Sequence, residues 1–402
     1  MANKNIDLIE NSKFILDYLQ KYKDEIPFPY NKIINISSKI NKLTDYHSEG
    51  IKFKLIEYRG ILKNKKEIRF YGYATSKKTR KLLTRWLLLN YLYNHNFSTP
   101  PFLVPRPLIL FSKLNLFLRE EAKGKDILEY IKKNKTQELK KGIFKAGQWL
   151  LRFHNFKIEH SQIIPTLKIS EYLPLFRNSS ENKLKLWKFT SVASIEEKEF
   201  RSYLEVAKKF FYKDTCRKIR KILNSIQRHT KLYLKKEKEL SLNHGDFQPQ
   251  NILYNKTNGN ITVIDFDWAG VGDPLSDVGN FLIQFDYHSA SVLKKQEIIN
   301  LKKHFLDSYF QQKTSVLNRF NMNKDFAARI NLYQAKFAIQ RAIFNTTFIL
   351  PRGLQPESNS TIKFLLQKAE DCKRNRTNID LKVYPYNKQK KYKKIINETR
   401  KN

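Results

Sequence analysis

Cysteine is almost absent from this sequence: 402 residues contain two, Cys216 and Cys372. Two thiols build neither a disulfide framework nor a zinc site, and so few fit a reducing, cytoplasmic setting. Long apolar runs are missing too. The richest stretch, residues 102–118, is interrupted by Pro105, Arg106, Pro107 and Lys113, so nothing approaches the roughly eighteen apolar residues of a membrane span. The opening Met-Ala-Asn-Lys-Asn-Ile-Asp does not resemble a secretory signal. No glycine-rich phosphate loop is evident in the first third, where Gly60 stands alone, and there is no internal repeat.

Acidic residues are half as common as basic ones, 38 against 76, for a net charge of +38. Such a charge invites a nucleic-acid or membrane-surface partner. The bases are spread along the chain, however, and Lys, Asn, Ile, Tyr and Phe are inflated together, as drift in an AT-rich genome produces. One segment escapes this trend: residues 241–291 hold Asp246, Asp265, Asp267, Asp273, Asp277 and Asp286 against the single base Lys256. An acidic island in a basic chain marks chemistry that needs carboxylates. With 41% apolar residues, the chain has the means for globular packing, and its length calls for two lobes or domains.

Within the island, His244-Gly245-Asp246-Phe247-Gln248-Pro249-Gln250-Asn251-Ile252-Leu253 is followed by Ile264-Asp265-Phe266-Asp267-Trp268 and Gly272-Asp273-Pro274. Apolar runs at Ile252–Tyr254 and Ile261–Ile264 flank Asn258-Gly259, a strong hairpin signal. An antiparallel hairpin returns the chain to its starting end, which predicts that Asn251 and Asp265 meet there. An amide oxygen and a carboxylate are hard ligands of the kind Mg²⁺ takes, alongside phosphate oxygens and water. Asp246, five residues before Asn251, completes the polar set that magnesium-dependent phosphoryl transfer requires.

Elsewhere the patterning changes from strand to helix. Residues 1–45 read as an N-terminal helical extension, with Phe14, Ile15, Tyr18 and Leu19 at helical spacing. Strands are expected at 51–58, 67–75, 108–112 and 115–121, with an apolar helix from Leu82 to Tyr93. From Asp126 onward helices dominate: Ile143, Ala146, Trp149, Leu150 and Phe153 share one stripe, a basic helical region covers 192–238, and amphipathic helices follow at 296–312 and 325–349. Beyond Cys372 apolar residues thin out and Lys and Arg dominate, the pattern of a disordered basic tail. The predicted domains are the extension 1–45, a small strand-rich N-lobe 46–122, a large mainly helical C-lobe 123–372 carrying the catalytic hairpin, and the tail 373–402.

These motifs resemble the aminoglycoside phosphotransferase and choline kinase superfamily, small-molecule kinases of protein-kinase-like α+β fold. The likeness rests on residues 244–253 as catalytic loop, 264–267 as metal-binding segment and Gly272-Asp273-Pro274 with Asp277. Weaker matches are Leu118-Arg119-Glu120-Glu121-Ala122-Lys123-Gly124 as interlobe linker and Ala146 through His154 as a helix of the family. The resemblance implies an ATP- and Mg²⁺-dependent phosphotransferase acting on a hydroxyl of a sugar, amino alcohol or aminoglycoside-like molecule. Asp246 would orient the acceptor hydroxyl, Asn251 and Asp265 would hold the metal, and backbone groups near Glu121 and Ala122 would read the adenine edge. The family's strand lysine and helix glutamate align with Tyr73 and Arg85; Arg69, on the same strand face as Tyr73, or Lys77 is the substitute open to that place, and Arg69 is the one expected to contact nucleotide. Asp267 is open between the metal or acceptor and a local cap. His244, His154, Asp273 and Asp277 read as structural. The competing expectation is a catalytically weak kinase fold that binds nucleic acid or anionic membrane through its basic surface. Charge alone divides the acceptors: the acidic island attracts a cation, whereas the chain as a whole favours an anionic sugar or lipid-linked glycan.

Overall fold

The computed structural model describes residues 8–46, 51–76, 80–156, 192–234, 241–310, 325–350, 355–374 and Ile379. They fall into two compact units, one holding the residues up to Gly124 together with Leu253–Asp267, the other holding Lys125 to residue 156, residue 192 to Ile252, and the chain from Trp268 onward. The fold is α+β, with the antiparallel sheet in the first unit and most helices in the second. Nearly all of the expected basic tail lies outside the described residues.

In chain order the first unit contains α1 (Ser12–Lys21), β1 (Ile33–Tyr46), β2 (Ile51–Leu62), β3 (Glu67–Thr75), α2 (Arg80–Asn94), β4 (Phe102–Leu103), β5 (Pro107–Phe111) and β6 (Leu116–Glu120). Asn11 caps α1 by accepting the Phe14 N–H at 3.1 Å, satisfying one of the donors that a helix start leaves open. The sheet order is β1-β2-β3-β6-β5, antiparallel throughout. Alternation along the strands sorts side chains between its faces. Phe70, Ala74, Leu116 and Leu118 join Ile15, Leu19 and Tyr58 in the core beneath α1. Tyr71 and Tyr73 point the other way, in register with Arg119 and Phe117, and Trp86 of α2 packs 6.0 Å from Phe117.

The helical extension expected over 1–45 is corrected by this sheet. Helix occupies Ser12–Lys21, whereas Ile33–Tyr46 is the outer strand. Register shifts between Ile33 and Asn35 and between Ile40 and Lys42 break the two-residue alternation, leaving Ile33 and Ile36 buried but Ile34 and Ile40 exposed. Bulges of this kind hide a strand from a periodicity reading.

The second unit contains α3 (Ile127–Lys132), α4 (Thr136–Asn155), α5 (Val192–Phe210), α6 (Lys213–Leu234) and β7 (Ser241–Asn243). After the hairpin strands β8 (Ile252–Asn255) and β9 (Asn260–Val263) come β10 (Gly270–Gly272), α7 (Leu275–Ser289), α8 (Lys295–Phe310), α9 (Asp325–Phe348) and α10 (Ser360–Arg374). Most of the hairpin clusters with the first unit, because β9 runs parallel to β4 through Ile261 and Phe102. β7 and β10 form a short antiparallel ribbon that brackets the loop before the hairpin and the segment after it.

The core of the second unit is an aromatic chain. Trp149 stacks 6.0 Å from Phe247, Phe247 lies 5.9 Å from Phe281, and Phe281 lies 4.0 Å from Phe305. Beside it, the fully buried Asp286 takes Lys302 at 2.7 Å and has Lys368 at 3.8 Å; buried charge persists only when paired in this way. Among the described residues, no helix is long and apolar enough to cross a membrane.

α4 approaches α8 at Gly147, where a Cβ would stand 2.7 Å from the Phe305 carbonyl oxygen and collide with the Ser308 hydroxyl. Gly147→Val therefore forces the two helices apart, with an expected loss of about 1–3 kcal/mol of unfolding free energy. Urea denaturation of the two proteins measures it; equal midpoints would contradict the close approach.

Candidate active site

Residues 244–251 leave β7 as a loop that must present polar groups at the edge of a core, and buried hydrogen bonds hold it there. Asp277, in the first turn of α7 and fully buried, accepts the His244 N–H at 2.7 Å and the Gly245 N–H at 2.9 Å. His154 of α4 meets the same carboxylate through Nε2 at 3.1 Å, and its Nδ1 lies 2.7 Å from the Tyr309 hydroxyl. Burial, then the Asp277 and Asp273 carboxylates, push the Tyr309 phenol well above its ordinary range. The phenol stays protonated, and its hydroxyl meets Nδ1 while Nε2 faces Asp277. Thus Asp277 does more than stabilise a helix start, and His154 is a core histidine with both nitrogens engaged.

His244 is buried, and its Nδ1 accepts the Asp246 N–H at 3.3 Å, bracing the loop from inside. Gly245 has φ +78°, and a Cβ there would sit 2.7 Å from the Trp268 carbonyl carbon; only glycine fits both the dihedral and the space. Phe247 plugs the aromatic core. On either side of it, Asp246 and Gln248 remain half-buried.

The Asp246 carboxylate is oriented by two amides. Gln248 Nε2 donates to Oδ2 at 2.7 Å and Asn251 Nδ2 donates to Oδ2 at 3.0 Å. Asn251 Nδ2 also donates to the Asp246 carbonyl at 2.9 Å, so the Asn251 amide turns its nitrogen toward Asp246 and its oxygen away. Asp273 is bound by Arg329, with Nε–Oδ2 at 2.9 Å and Nη2–Oδ1 at 2.8 Å, and accepts the Leu275 N–H. It braces the entry to α7.

In the first unit, Asp265 follows β9 at φ +68°, a left-handed conformation that costs an ordinary residue energy and recurs at functional positions. It shares a pocket with Tyr73, Arg85, Leu89, Pro105, Phe117, Arg119, Ile264 and Phe266. Arg85 is buried, lies 4.5 Å over the Tyr73 ring and forms an ion pair with Asp267. From the other side, Arg119 Nη2 donates to the Tyr73 hydroxyl at 3.2 Å, and Nη1 donates to the Glu120 carbonyl at 2.9 Å. Where the resemblance leads one to expect a lysine–glutamate pair, a tyrosine stands between two arginines. The anionic partner sits two residues beyond Asp265, which removes Asp267 from the list of unassigned carboxylates.

Arg69 lies outside this group. Its Nη1 pairs with Glu121 Oε1 at 3.0 Å, and its carbonyl accepts the Glu121 N–H at 3.3 Å. Glu121 and the adjoining Ala122 are half-buried. Hence Asp246 and Asn251 are brought together in the second unit, Arg69 and Glu121 in the first, and Asp265 joins Arg85 and Arg119. Sequence reading assigned no role to Gln248, Arg119 or Tyr309. Arg119 carried a signal, a cation opposite Tyr71 in neighbouring strands; Tyr309 offered none, being 155 residues from His154.

Comparison with known proteins follows from this geometry. The sequence pattern described as the phosphotransferase enzyme family matches residues 87–294. Among curated proteins, a probable ethanolamine kinase B of Dictyostelium discoideum is 32% identical over 73 residues, 18% of this chain and 16% of that protein. The match therefore spans less than a fifth of that relative's length. Among solved structures, an amicoumacin kinase in complex with AMP-PNP and Ca²⁺ superposes with a TM-score of 0.51 at 13% identity, covering 91% of this chain and 96% of that one. An ethanolamine kinase of Plasmodium vivax gives 0.49 at 15% identity, with 90% and 89% covered.

The Arg85–Asp267 pair is 5% and 12% exposed at its side chains, deep enough that removing one member strands a charge. Arg85→Leu is expected to lower stability by about 3–5 kcal/mol, and adding Asp267→Leu to recover much of it. Denaturant titration of both variants tests this; a single-variant loss below about 1 kcal/mol would show the pair to be solvated.

Proposed function

This chain belongs to the phosphotransferase enzyme family, and from that premise we propose that it is a small-molecule kinase that transfers the γ-phosphoryl group of ATP, with Mg²⁺, to a hydroxyl of its acceptor. One observation carries the reading: the Asp246 carboxylate is held by Gln248 and Asn251 on a loop that Asp277 pins to the core. A half-buried carboxylate oriented by two amide donors is built to receive a hydroxyl.

Asp246 accepts the hydrogen bond of the acceptor hydroxyl and sets its oxygen in line with the γ-phosphorus. As the new P–O bond forms, the bond between phosphorus and the β,γ-bridging oxygen breaks, ADP leaves with the electron pair, and the hydroxyl proton passes to Asp246. The transition state is loose, so orientation contributes more than basicity.

The residues present fit a hard divalent cation. The Asn251 amide spends its nitrogen on Asp246 and turns its oxygen away. Asp265 supplies a carboxylate on a strained backbone. Among the described residues no group of three His, Cys, Asp or Glu is assembled, so a cation here draws its remaining ligands from phosphate and water, the habit of Mg²⁺. When bound, Mg²⁺ neutralises charge developing on the phosphate oxygens. Arg85 and Arg119 border the same pocket as Asp265 and supply positive charge toward the nucleotide phosphates, while the Glu121–Ala122 backbone reads the base.

Nucleotide binding with and without Mg²⁺, and ATP turnover over a panel of hydroxyl acceptors, test the reading. Asp246→Asn is expected to lower turnover at least about a hundredfold while retaining Mg·ATP binding, and Asp265→Ala to lose the magnesium dependence of binding. Wild-type protein that binds no nucleotide in the presence of Mg²⁺ would refute the assignment.

A further inference from the structure

Gln248, which orients Asp246 through its nitrogen, presents its oxygen to Arg341 of α9: Arg341 Nη2 lies 3.5 Å from Gln248 Oε1. The same guanidinium donates to Gln284 Oε1 of α7 through Nε at 3.0 Å and Nη2 at 2.6 Å. Tyr287 offers its ring at 4.7 Å and Phe344 its ring at 5.5 Å. Two carboxamide oxygens and two aromatic rings therefore hold this cation, and every one of them is neutral. Among the described residues no carboxylate stands within ion-pair distance of Arg341.

Burial lowers the Arg341 pKa, opposed by the fields of Tyr287 and Asp246. Its neighbour His288 is held neutral, with a pKa of about 3, by burial first and by the charge of Arg341 second. The guanidinium thus has no ion-pair partner among the described residues, and Asp246, one side chain away, acts on it through space. Desolvating a cation without a counter-ion is costly, and the groups that hold Arg341 in place are all neutral. A planar guanidinium in this position matches a carboxylate or phosphate and repels an amine.

We propose that Arg341 selects the acceptor of this kinase, and that the acceptor bears an anionic group, a phosphate or a carboxylate, in addition to the hydroxyl that is phosphorylated. The inference rests on the kinase reading of Asp246. Gln248 sets the distance between the two functions, since it touches the carboxylate that orients the hydroxyl and the cation that receives the anion. That separation is one carboxamide and two hydrogen bonds, the scale of a sugar ring. Phe344 is 43% exposed and adds an apolar face beside the guanidinium on which such a ring packs.

The test uses the full chain with Mg²⁺ and a matched hexopyranose set: glucose 6-phosphate, glucuronate, glucose and glucosamine. Phosphoryl transfer is followed by ADP release above hydrolysis, and binding is followed by calorimetry on protein loaded with Mg·AMP-PNP. The two anionic compounds are expected to exceed glucosamine in affinity and in kcat/KM by about tenfold to a hundredfold, the value of one charged hydrogen-bonding group. Arg341→Gln is expected to erase that preference through KM, and Arg341→Lys to keep part of it. The order of glucose 6-phosphate and glucuronate tells phosphate from carboxylate. Preference for glucosamine or glucose, or an anion preference that survives Arg341→Gln, would overturn the proposal while leaving the kinase assignment standing. Wild-type protein without Mg·AMP-PNP binding would remove both.

Discussion

A single buried carboxylate organises the second unit. Asp277 accepts two consecutive N–H groups, from His244 and Gly245, and the imidazole of His154. These donors sit at the end of a strand and on a helix, while the carboxylate itself stands where the exposed N–H groups of α7 favour negative charge. With the N–H groups of His244, Gly245 and Asp246 satisfied by side chains, the start of this loop gives up the water it would otherwise require. The consequences run outward from there. Phe247 turns into the aromatic core, and Asp246 is left facing the other way, within reach of Gln248 and Asn251. Tyr309 and His154 extend the network into α8 and α4, so the precision of one carboxylate depends on three helices.

The first unit solves a different electrostatic problem. One face of its sheet carries Tyr71, Tyr73 and Arg119, and α2 brings Arg85 over the same tyrosine. Two cations are tolerated there because each has a distinct partner. Arg85 has Asp267, and Arg119 has the Tyr73 hydroxyl and a backbone carbonyl. Aromatic faces offset part of the desolvation. The ion pair of Arg69 with Glu121, by contrast, is open to solvent, and an exposed pair of this kind contributes little to stability. Basic chemistry around Asp265 is therefore built from arginines on a strand and a helix, anchored to the segment that holds Asp265 itself.

Much of this was legible before the structure. Strands at 51–58 and 67–75 and the helix from Leu82 to Tyr93 were visible because their apolar residues keep a clean period. The loop and hairpin at 244–265 were visible because Gly245, Asn258-Gly259 and the carboxylates leave few alternative local structures. The strand at Ile33–Tyr46 was hidden by its two bulges, which destroy the alternation that marks a strand. Asp267 could not be assigned because its partner, Arg85, is 182 residues away along the chain and stands where the opposite charge was expected. Arg341 was invisible for the same reason, since nothing in the pattern of α9 says that this one position meets Gln248.

The sequence by itself determined the family and the α+β fold. Asp246, Asn251 and Asp265 at their spacing, between a strand-patterned third and a helix-patterned remainder, depend on local rules of backbone and periodicity that act over a few residues. Tertiary structure alone decided which polar groups meet: Arg85 with Asp267, Arg341 with Gln248, and Asp277 with the backbone of residues 244 and 245. Those pairings are set by the packing of helices and strands distant in the chain. Coulomb energy and hydrogen bonding act through space, so no separation along the sequence encodes them.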